Sequence, residues 1–259
     1  MKFLDVTSCQ IIAYALFVHL FFLFAVCKKR NDIADVAWGL GFVLVSFVGV
    51  IHNFNIKTII VFVLVAIWGL RLGSHIYKKF SSHDEEDARY SKWRAGWGKH
   101  WKIYSYGKVF LLQGFLLLLV AMPILLISRY SSGEWSIINT IGILVWIFGF
   151  TFEVVGDRQL KSFIKSRDRN TGNQIMKKGL WKYSRHPNYF GEAVLWWGIF
   201  LIAFGVDYFY LAIIGPITIF LLLRFVSGVP MAEERYGENI EFQEYKRKTP
   251  AMFPNFFIK

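Results

Sequence analysis

Acidic side chains are scarce in this chain. Its 259 residues carry 18 Asp and Glu against 30 Lys and Arg, for a formal charge of +12. Cysteine is scarcer still: there are only Cys9 and Cys27. Two cysteines exclude a disulfide framework and a cysteine-rich metal site. Each lies in or beside an apolar run, where an inert, packed thiol is expected. The six His are scattered, and neither an HExxH pair nor a carboxylate array of metal spacing occurs, so no metal is expected. GxSxG, Walker and GxGxxG strings are all missing, which excludes a nucleophile elbow, a P-loop and a Rossmann turn. The excess positive charge could suggest nucleic acid, but no basic domain with a reader motif accompanies it. Internal repeats and low-complexity stretches are also missing.

Apolar residues are abundant instead. The chain is 55% hydrophobic and 19% aromatic, with only 19% charged. A soluble domain holds roughly 45–50% apolar and about 25% charged residues. Its 26 Phe, 12 Tyr and 10 Trp exclude disorder. The apolar residues fall in runs. Cys9–Cys27 contains no formal charge, and at 1.5 Å per residue it spans roughly 28 Å, about a bilayer core. Similar runs follow near Val36–Ile51, Thr58–Leu70, Val109–Ile127, Ile137–Phe152, Phe190–Val206 and Tyr208–Leu223. The expected fold is all-α, a polytopic integral membrane protein with about seven transmembrane helices. The first run ends in Lys28-Lys29-Arg30 with no small-residue cleavage site, so it reads as a retained anchor rather than a signal peptide.

Seven helices place the intervening segments on alternating sides. One side collects 27 of the Lys and Arg, mostly in the expected loops 71–108 and 157–188; the other holds 3. The positive-inside rule makes the basic side cytoplasmic. The N-terminus is then outside and the C-terminus inside, in what is expected to be a bacterial inner membrane. The charge is thus a topology signal, and part of it would face anionic headgroups. The acidic cluster Asp84–Asp87 in the first large loop reads as solvated.

Ionisable groups within lipid are costly and direct attention to function. Asp35 enters the second helix, where it could serve as an N-terminal capping carboxylate. His19 reads as a packed or hydrogen-bonded histidine, and Arg71 and His75 as the end of the third helix. On the fifth helix Glu153, Asp157 and Lys161 recur at every fourth position, one polar stripe extended by Arg158, Lys165, Arg167 and Arg169. The stripe is either an amphipathic helix end or a surface where carboxylates meet ribose or amide groups and bases meet phosphates. The most informative stretch is Gly179–Glu192. Pro187 suits the first position of a helix, whose free N–H groups would face Arg185 and His186 as an anion site. Glu192 lies one turn in, with Asn188 and Trp196 on the same face. A carboxylate there must be protonated, paired or turned to a polar cavity.

The string Gly-Leu-Trp-Lys-Tyr-Ser-Arg-His-Pro-Asn-Tyr-Phe-Gly-Glu over 179–192 resembles the steroid 5-alpha-reductase-like membrane reductase superfamily. More closely it resembles that superfamily's bacterial branch, the DUF1295-type domain. The resemblance extends to Asp35-x-x-Trp38-Gly39, Glu85-Asp87-x-Arg89-Tyr90, Gln113, Glu153-x-x-x-Asp157, Ser227-Gly228-Val229-Pro230 and a tail with Tyr245 and Phe253-Pro254. It implies a single membrane-embedded reductase domain over 1–259, with the cofactor-binding core in about 109–259. It implies NADPH as cofactor and a hydrophobic small molecule or lipid as substrate. Glu153, Asp157, Lys161, Tyr183, Arg185, His186, Asn188 and Tyr245 would surround the cofactor. Glu192, Tyr189 and Asp35 would be the catalytic proton donors. The steroid reductases' Gln-Glu pair on an early helix has no counterpart on helix two, where Asp35 is the nearest acid, and the corresponding Tyr position near Arg71 holds Trp68. Two other readings stand beside this one. A shorter Arg-His-Pro-x-Tyr-x-Gly core is similar to isoprenylcysteine and phospholipid methyltransferases that use S-adenosylmethionine. A non-enzymatic lipid-binding or transport protein would also have several helices with ionisable groups at membrane depth.

Overall fold

The computed structural model describes residues 5–166 and 175–257. The chain is helical, with no strand among the described residues. Six helical stretches are long and apolar enough to cross a membrane: Val6–Lys28, Ile33–His52, Ile56–Ser81, Ala88–Val120, Ile137–Ser166 and Phe209–Glu234. They make this an integral, multi-pass membrane protein. The seventh expected span is a helix at Pro187–Ile202. Its 16 residues would reach only about 24 Å.

The chain divides into two compact units, 1–136 with 203–214, and 137–202 with 215–259. The first unit is built on α1 (Val6–Lys28), α2 (Ile33–His52) and α3 (Ile56–Ser81). A fourth stretch follows: α4 (Ala88–Trp97), α5 (Trp101–Ser105), a π turn over Tyr106–Leu111, α6 (Leu112–Val120) and α7 (Met122–Tyr130). The break between α6 and α7 precedes Pro123, which lacks the N–H a continuous helix needs.

Helix α2 packs against α3 through backbone. A Cβ on Gly39 would lie 2.7 Å from the Gly69 carbonyl oxygen. At one end of the unit, buried Gln10 donates to Val45 O at 2.9 Å and to Ser128 Oγ at 3.0 Å. Asn55 caps α3 in a reciprocal capping box with Thr58. Lys57 is buried with its Nζ 2.8 Å from Phe204 O. His19 is exposed and hydrogen-bonded, between Ala15 O at 2.6 Å and the Tyr106 hydroxyl at 2.7 Å.

The expected loop over 71–108 is corrected here. Helix α3 runs on through Arg71 and His75 to Ser81, and α4 resumes at Ala88. Hydropathy marks where lipid ends, whereas a helix continues into water as long as its residues tolerate the conformation. The acidic cluster in the short connection is also more than solvated. Glu86 accepts from Asn31 N at 2.6 Å and pairs with Arg94 at 2.8 Å. Asp87 caps α4 by accepting from Arg89 N. Burial opposes ionisation of Asp87, yet hydrogen bonds from Lys79 and Arg89 outweigh it and hold its carboxyl at about 2.

The second unit is organised by α8 (Ile137–Ser166) and α9 (Pro187–Ile202). They run antiparallel and touch along glycines seven residues apart, which returns nearly to the same helix face. Gly142 and Gly149 on α8 meet Gly198 and Gly191 on α9, and Gly156 meets the backbone of Asn188. A Cβ on Gly149 would lie 2.5 Å from Leu195 N and 2.7 Å from Gly191 O, and one on Gly198 would lie 2.6 Å from Trp146 N. Buried Asn139 donates to Ile202 O at 3.0 Å, satisfying a carbonyl at the end of α9. The unit continues through α10 (Ile214–Leu221), α11 (Val229–Glu234) and α12 (Ile240–Lys248).

Two outcomes follow. Gly149→Leu must push α8 and α9 apart, and overpacking of this kind costs about 1–3 kcal/mol or more. Its thermal midpoint in detergent should fall well below that of Ile147→Leu, an exposed position on the same helix. The low Asp87 value means that its charge stabilises the fold above the ordinary carboxylate value near 3.8. That contribution fades as pH falls through this value toward 2. Asp87→Asn should therefore lower the midpoint at pH 7, and the gap to the parent should narrow in acid.

Candidate functional site

The segment before α9 is fixed to its own unit at nearly every residue. Trp181 Nε1 donates to Gly156 O at 3.0 Å, and Leu180 N donates to Gln159 Oε1 at 2.9 Å. The tail after α12 closes from the other side. Arg185 N donates to Pro250 O at 2.9 Å, Ser184 Oγ to Met252 O at 2.7 Å and Asn255 N to Tyr183 O at 3.0 Å. Buried Tyr245 donates its hydroxyl to Trp181 O, and burial raises its phenol above the ordinary range.

Arg185 and His186 meet an anion within the chain. Arg185 Nε donates to Glu233 Oε1 at 2.8 Å, and its Nη1 donates to Thr249 O at 2.5 Å and Lys246 O at 3.2 Å. His186 Nε2 lies 3.0 Å from the same Glu233 oxygen. Both side chains of the Arg185–Glu233 pair are nearly buried, at 8% and 9% exposure. Burial holds the His186 imidazole below its ordinary value, against the pull of Glu233 and with help from Arg185 and Arg235. A neutral ring donates Nε2–H to the carboxylate. Its face stacks on Tyr189, with centroids 5.1 Å apart and planes at 8°.

These groups wall a cavity of about 190 Å³ whose lining includes Leu160, Trp181, His186, Asn188, Tyr189 and Tyr245. Asn188 is the informative member. Its Nδ2 donates to Asp157 Oδ1 at 3.1 Å, while its Oδ1 is buried with no hydrogen-bond partner among the described residues.

The structure therefore gathers Asp157, Arg185, His186, Asn188, Tyr189 and Tyr245 in one region. Glu153 is buried one turn from Asp157, where α9 crosses at Gly191. Glu192 is half-buried on α9. Lys161 is exposed, and Tyr183 packs on Phe256 with centroids 5.1 Å apart, outside the cavity lining. Arg167 and Arg169 lie outside the described residues. Glu233 escaped the sequence reading. The signal available for it was an acid just after Gly228-Val229-Pro230, where Pro starts a short helix at the end of an apolar run.

Asp35 belongs to the first unit and is more than a cap. Tyr90 donates its hydroxyl to Asp35 Oδ1 at 2.5 Å, Arg89 Nη2 lies 3.0 Å from Oδ2, and Gln113 Nε2 donates to the Tyr90 oxygen at 3.2 Å. Asp35 also lines a cavity of about 380 Å³ with Arg30, Lys79 and Phe80. Trp68 is a core side chain, edge-to-face with Phe42. Among the described residues no cluster of His, Cys, Asp and Glu could hold a metal ion.

Residues 21–249 match the model of a family described as a protein of unknown function, DUF1295. The chain belongs to the DUF1295 family. Known relatives extend the likeness. The DUF1295 chain is 30% identical over 118 residues to human 3-oxo-5-alpha-steroid 4-dehydrogenase 1, covering 45% of this chain and 41% of that protein. It is 29% identical over 117 residues to the Macaca fascicularis protein of the same name, with the same coverage. An uncharacterized Schizosaccharomyces pombe protein is 23% identical over 178 residues, 60% of this chain and 51% of that one. The DUF1295 chain thus spans less than half the length of the steroid dehydrogenases it matches. No solved structure matches it. The resemblance to the steroid 5-alpha-reductase-like superfamily read from Gly179–Glu192 is borne out by these matches.

Removing the Glu233 charge should leave Arg185 buried and uncompensated. Breaking a buried pair from one side costs about 3–5 kcal/mol. Glu233→Gln should lower the thermal midpoint in detergent sharply, and Glu234→Gln, at the exposed neighbouring position, should leave it near the parent value.

Proposed function

We propose that this DUF1295 protein is an NADPH-dependent integral-membrane reductase of a carbon–carbon double bond in a lipid or steroid-like substrate. Its likeness to 3-oxo-5-alpha-steroid 4-dehydrogenases supports the reaction class. Dehydrogenating a saturated carbon pair and reducing the double bond are one reaction read in opposite directions.

The observation that carries the cofactor is the unpartnered Asn188 Oδ1 beside the cavity. A buried acceptor without a donor costs roughly 1–3 kcal/mol. An amide N–H or ribose hydroxyl of a ligand would relieve that cost, and NADPH carries both. The aromatic walls suit a flat ring. At about 190 Å³ the cavity is smaller than the roughly 300–1,000 Å³ of a whole-ligand site, so it would take one ring system of the dinucleotide. Asn188 and Asp157 would touch it. Arg185, His186 and Tyr245 would hold the walls in place, Glu153 would back Asp157, and Lys161 and Tyr183 would flank the opening. In this reading the cofactor core belongs to the second unit.

A bound NADPH would supply a hydride. The chain's part is to deliver a proton to the other carbon, or to the oxygen that activates the double bond. Glu192, Tyr189 and Asp35 are the groups proposed for this. Apolar helices around the reacting carbons would restrict water from the hydride step.

The test is a thermal-shift titration of the detergent-purified chain. NADPH at about a hundred times its Kd should add about 2.7 kcal/mol of stability, and Asn188→Leu should lose most of that shift. Stabilisation by S-adenosylmethionine in place of NADPH would move the chain to the methyltransferases. Stabilisation by neither would favour a lipid carrier.

A further inference from the structure

The tail of the second unit carries a second pocket, of about 560 Å³, that shares Arg185 with the cofactor cavity and is otherwise lined by residues the cofactor reading does not use. Its walls come from Arg185 just ahead of α9, the last turn of α12 and the strap that follows. They carry Arg185, Lys246, Arg247 and Lys248, and among the described residues no carboxylate lines it. Arg185 is already neutralised by Glu233, and Lys246 Nζ leans to the same carboxylate at 3.4 Å. Arg247 and Lys248 are exposed, and neither has a carboxylate partner among the described residues.

The strap is apolar where it is not basic. Phe253, Phe256 and Phe257 are 62%, 61% and 95% exposed. Three rings in water on a strap otherwise pinned by hydrogen bonds are costly. Their depth follows from their neighbours. The Phe253 ring lies 5.9 Å from Phe190, in the first turn of α9, and 5.9 Å from Phe220, at the end of α10. Helix α9 begins just after the polar stretch 182–186, and the apolar run through Phe220 meets its first charge at Arg224. The strap therefore lies at the height of a membrane surface, with rings for the acyl boundary and cations for the headgroup layer.

We propose that this pocket binds an anionic glycerophospholipid of the surrounding bilayer, with its phosphate on Arg247 and Lys248 and its glycerol end against Phe256 and Phe257. The site stands apart from the reductase reading. Charge complementarity selects a phosphate, and the exposed rings select a lipid over a soluble phosphate compound.

Native mass spectrometry of the delipidated full chain in neutral detergent tests this. Phosphatidylglycerol should bind more tightly than phosphatidylcholine. Raising salt from about 0.05 to 0.5 M should remove most of the difference. The double substitution Arg247→Gln, Lys248→Gln should weaken phosphatidylglycerol binding by about tenfold or more and leave phosphatidylcholine binding unchanged. Both residues are exposed, so the thermal midpoint should hold, which separates lost binding from lost folding. Phe256→Ser with Phe257→Ser should weaken both lipids. Parent-like phosphatidylglycerol binding in either variant overturns the proposal. So does displacement of the lipid by glycerol 3-phosphate, which would make this a soluble-phosphate site, or by NADPH, which would return the pocket to the cofactor.

Discussion

The carboxylate of Glu233 is the contact on which the polar end of the second unit depends. It receives Arg185 at 2.8 Å and lies 3.0 Å from His186, two adjacent residues just ahead of α9. Arg185 in turn holds the carbonyls of Lys246 and Thr249, and through them the last turn of α12. One acid thus ties α11, the entry to α9 and the tail together. An Arg with most of its charge buried is tolerable only with such a partner. The geometry around Asn188 is inherited from this arrangement, because the His186 ring that stacks on Tyr189 is positioned by the same carboxylate.

The pairing also changes what the basic motif means. Read as a string, Arg185-His186-Pro187 ahead of a helix looks like a cradle for an external phosphate. Folded, Arg185 and the His186 ring are both engaged by Glu233, and a group with unspent hydrogen-bonding capacity is an amide oxygen one residue after the proline. What the segment offers a ligand is an acceptor beside aromatic walls. Along the pocket beside the tail, the cations without a carboxylate partner among the described residues are Arg247 and Lys248. On the proposed reading, recognition of a flat polar group and attraction of phosphate fall to different parts of one unit.

Much of this was legible in the sequence. Uncharged runs such as Cys9–Cys27 gave the helices, because nothing but a helix satisfies its backbone within lipid. Pro187 marked the start of α9, and the Asp157–Asn188 pairing joins two motifs singled out separately. The misses have physical causes. The expected loop over 71–108 was in large part helix, because loss of hydropathy is not loss of helix propensity. Asp35 looked like a cap because its partners Arg89 and Tyr90 are more than fifty residues away, and pairing over that distance leaves no local trace. Glu233 was hidden for the same reason. The glycines of α8 and α9 were visible, but their spacing of seven means something only once the two helices are known to be neighbours.

That glycine seam bears on how the chain is assembled. Between helices in lipid there is no hydrophobic force to draw them together, so association rests on close van der Waals contact. Backbone against backbone provides more of this than any arrangement of large side chains. Helices α8 and α9 therefore carry their own reason to associate, independent of the rest of the chain. The pair is the natural nucleus of its unit during membrane insertion, with α9 captured by α8 soon after it enters the bilayer. The residues between them, including Arg185 and His186, would then be drawn to one surface before the tail that locks them has been made.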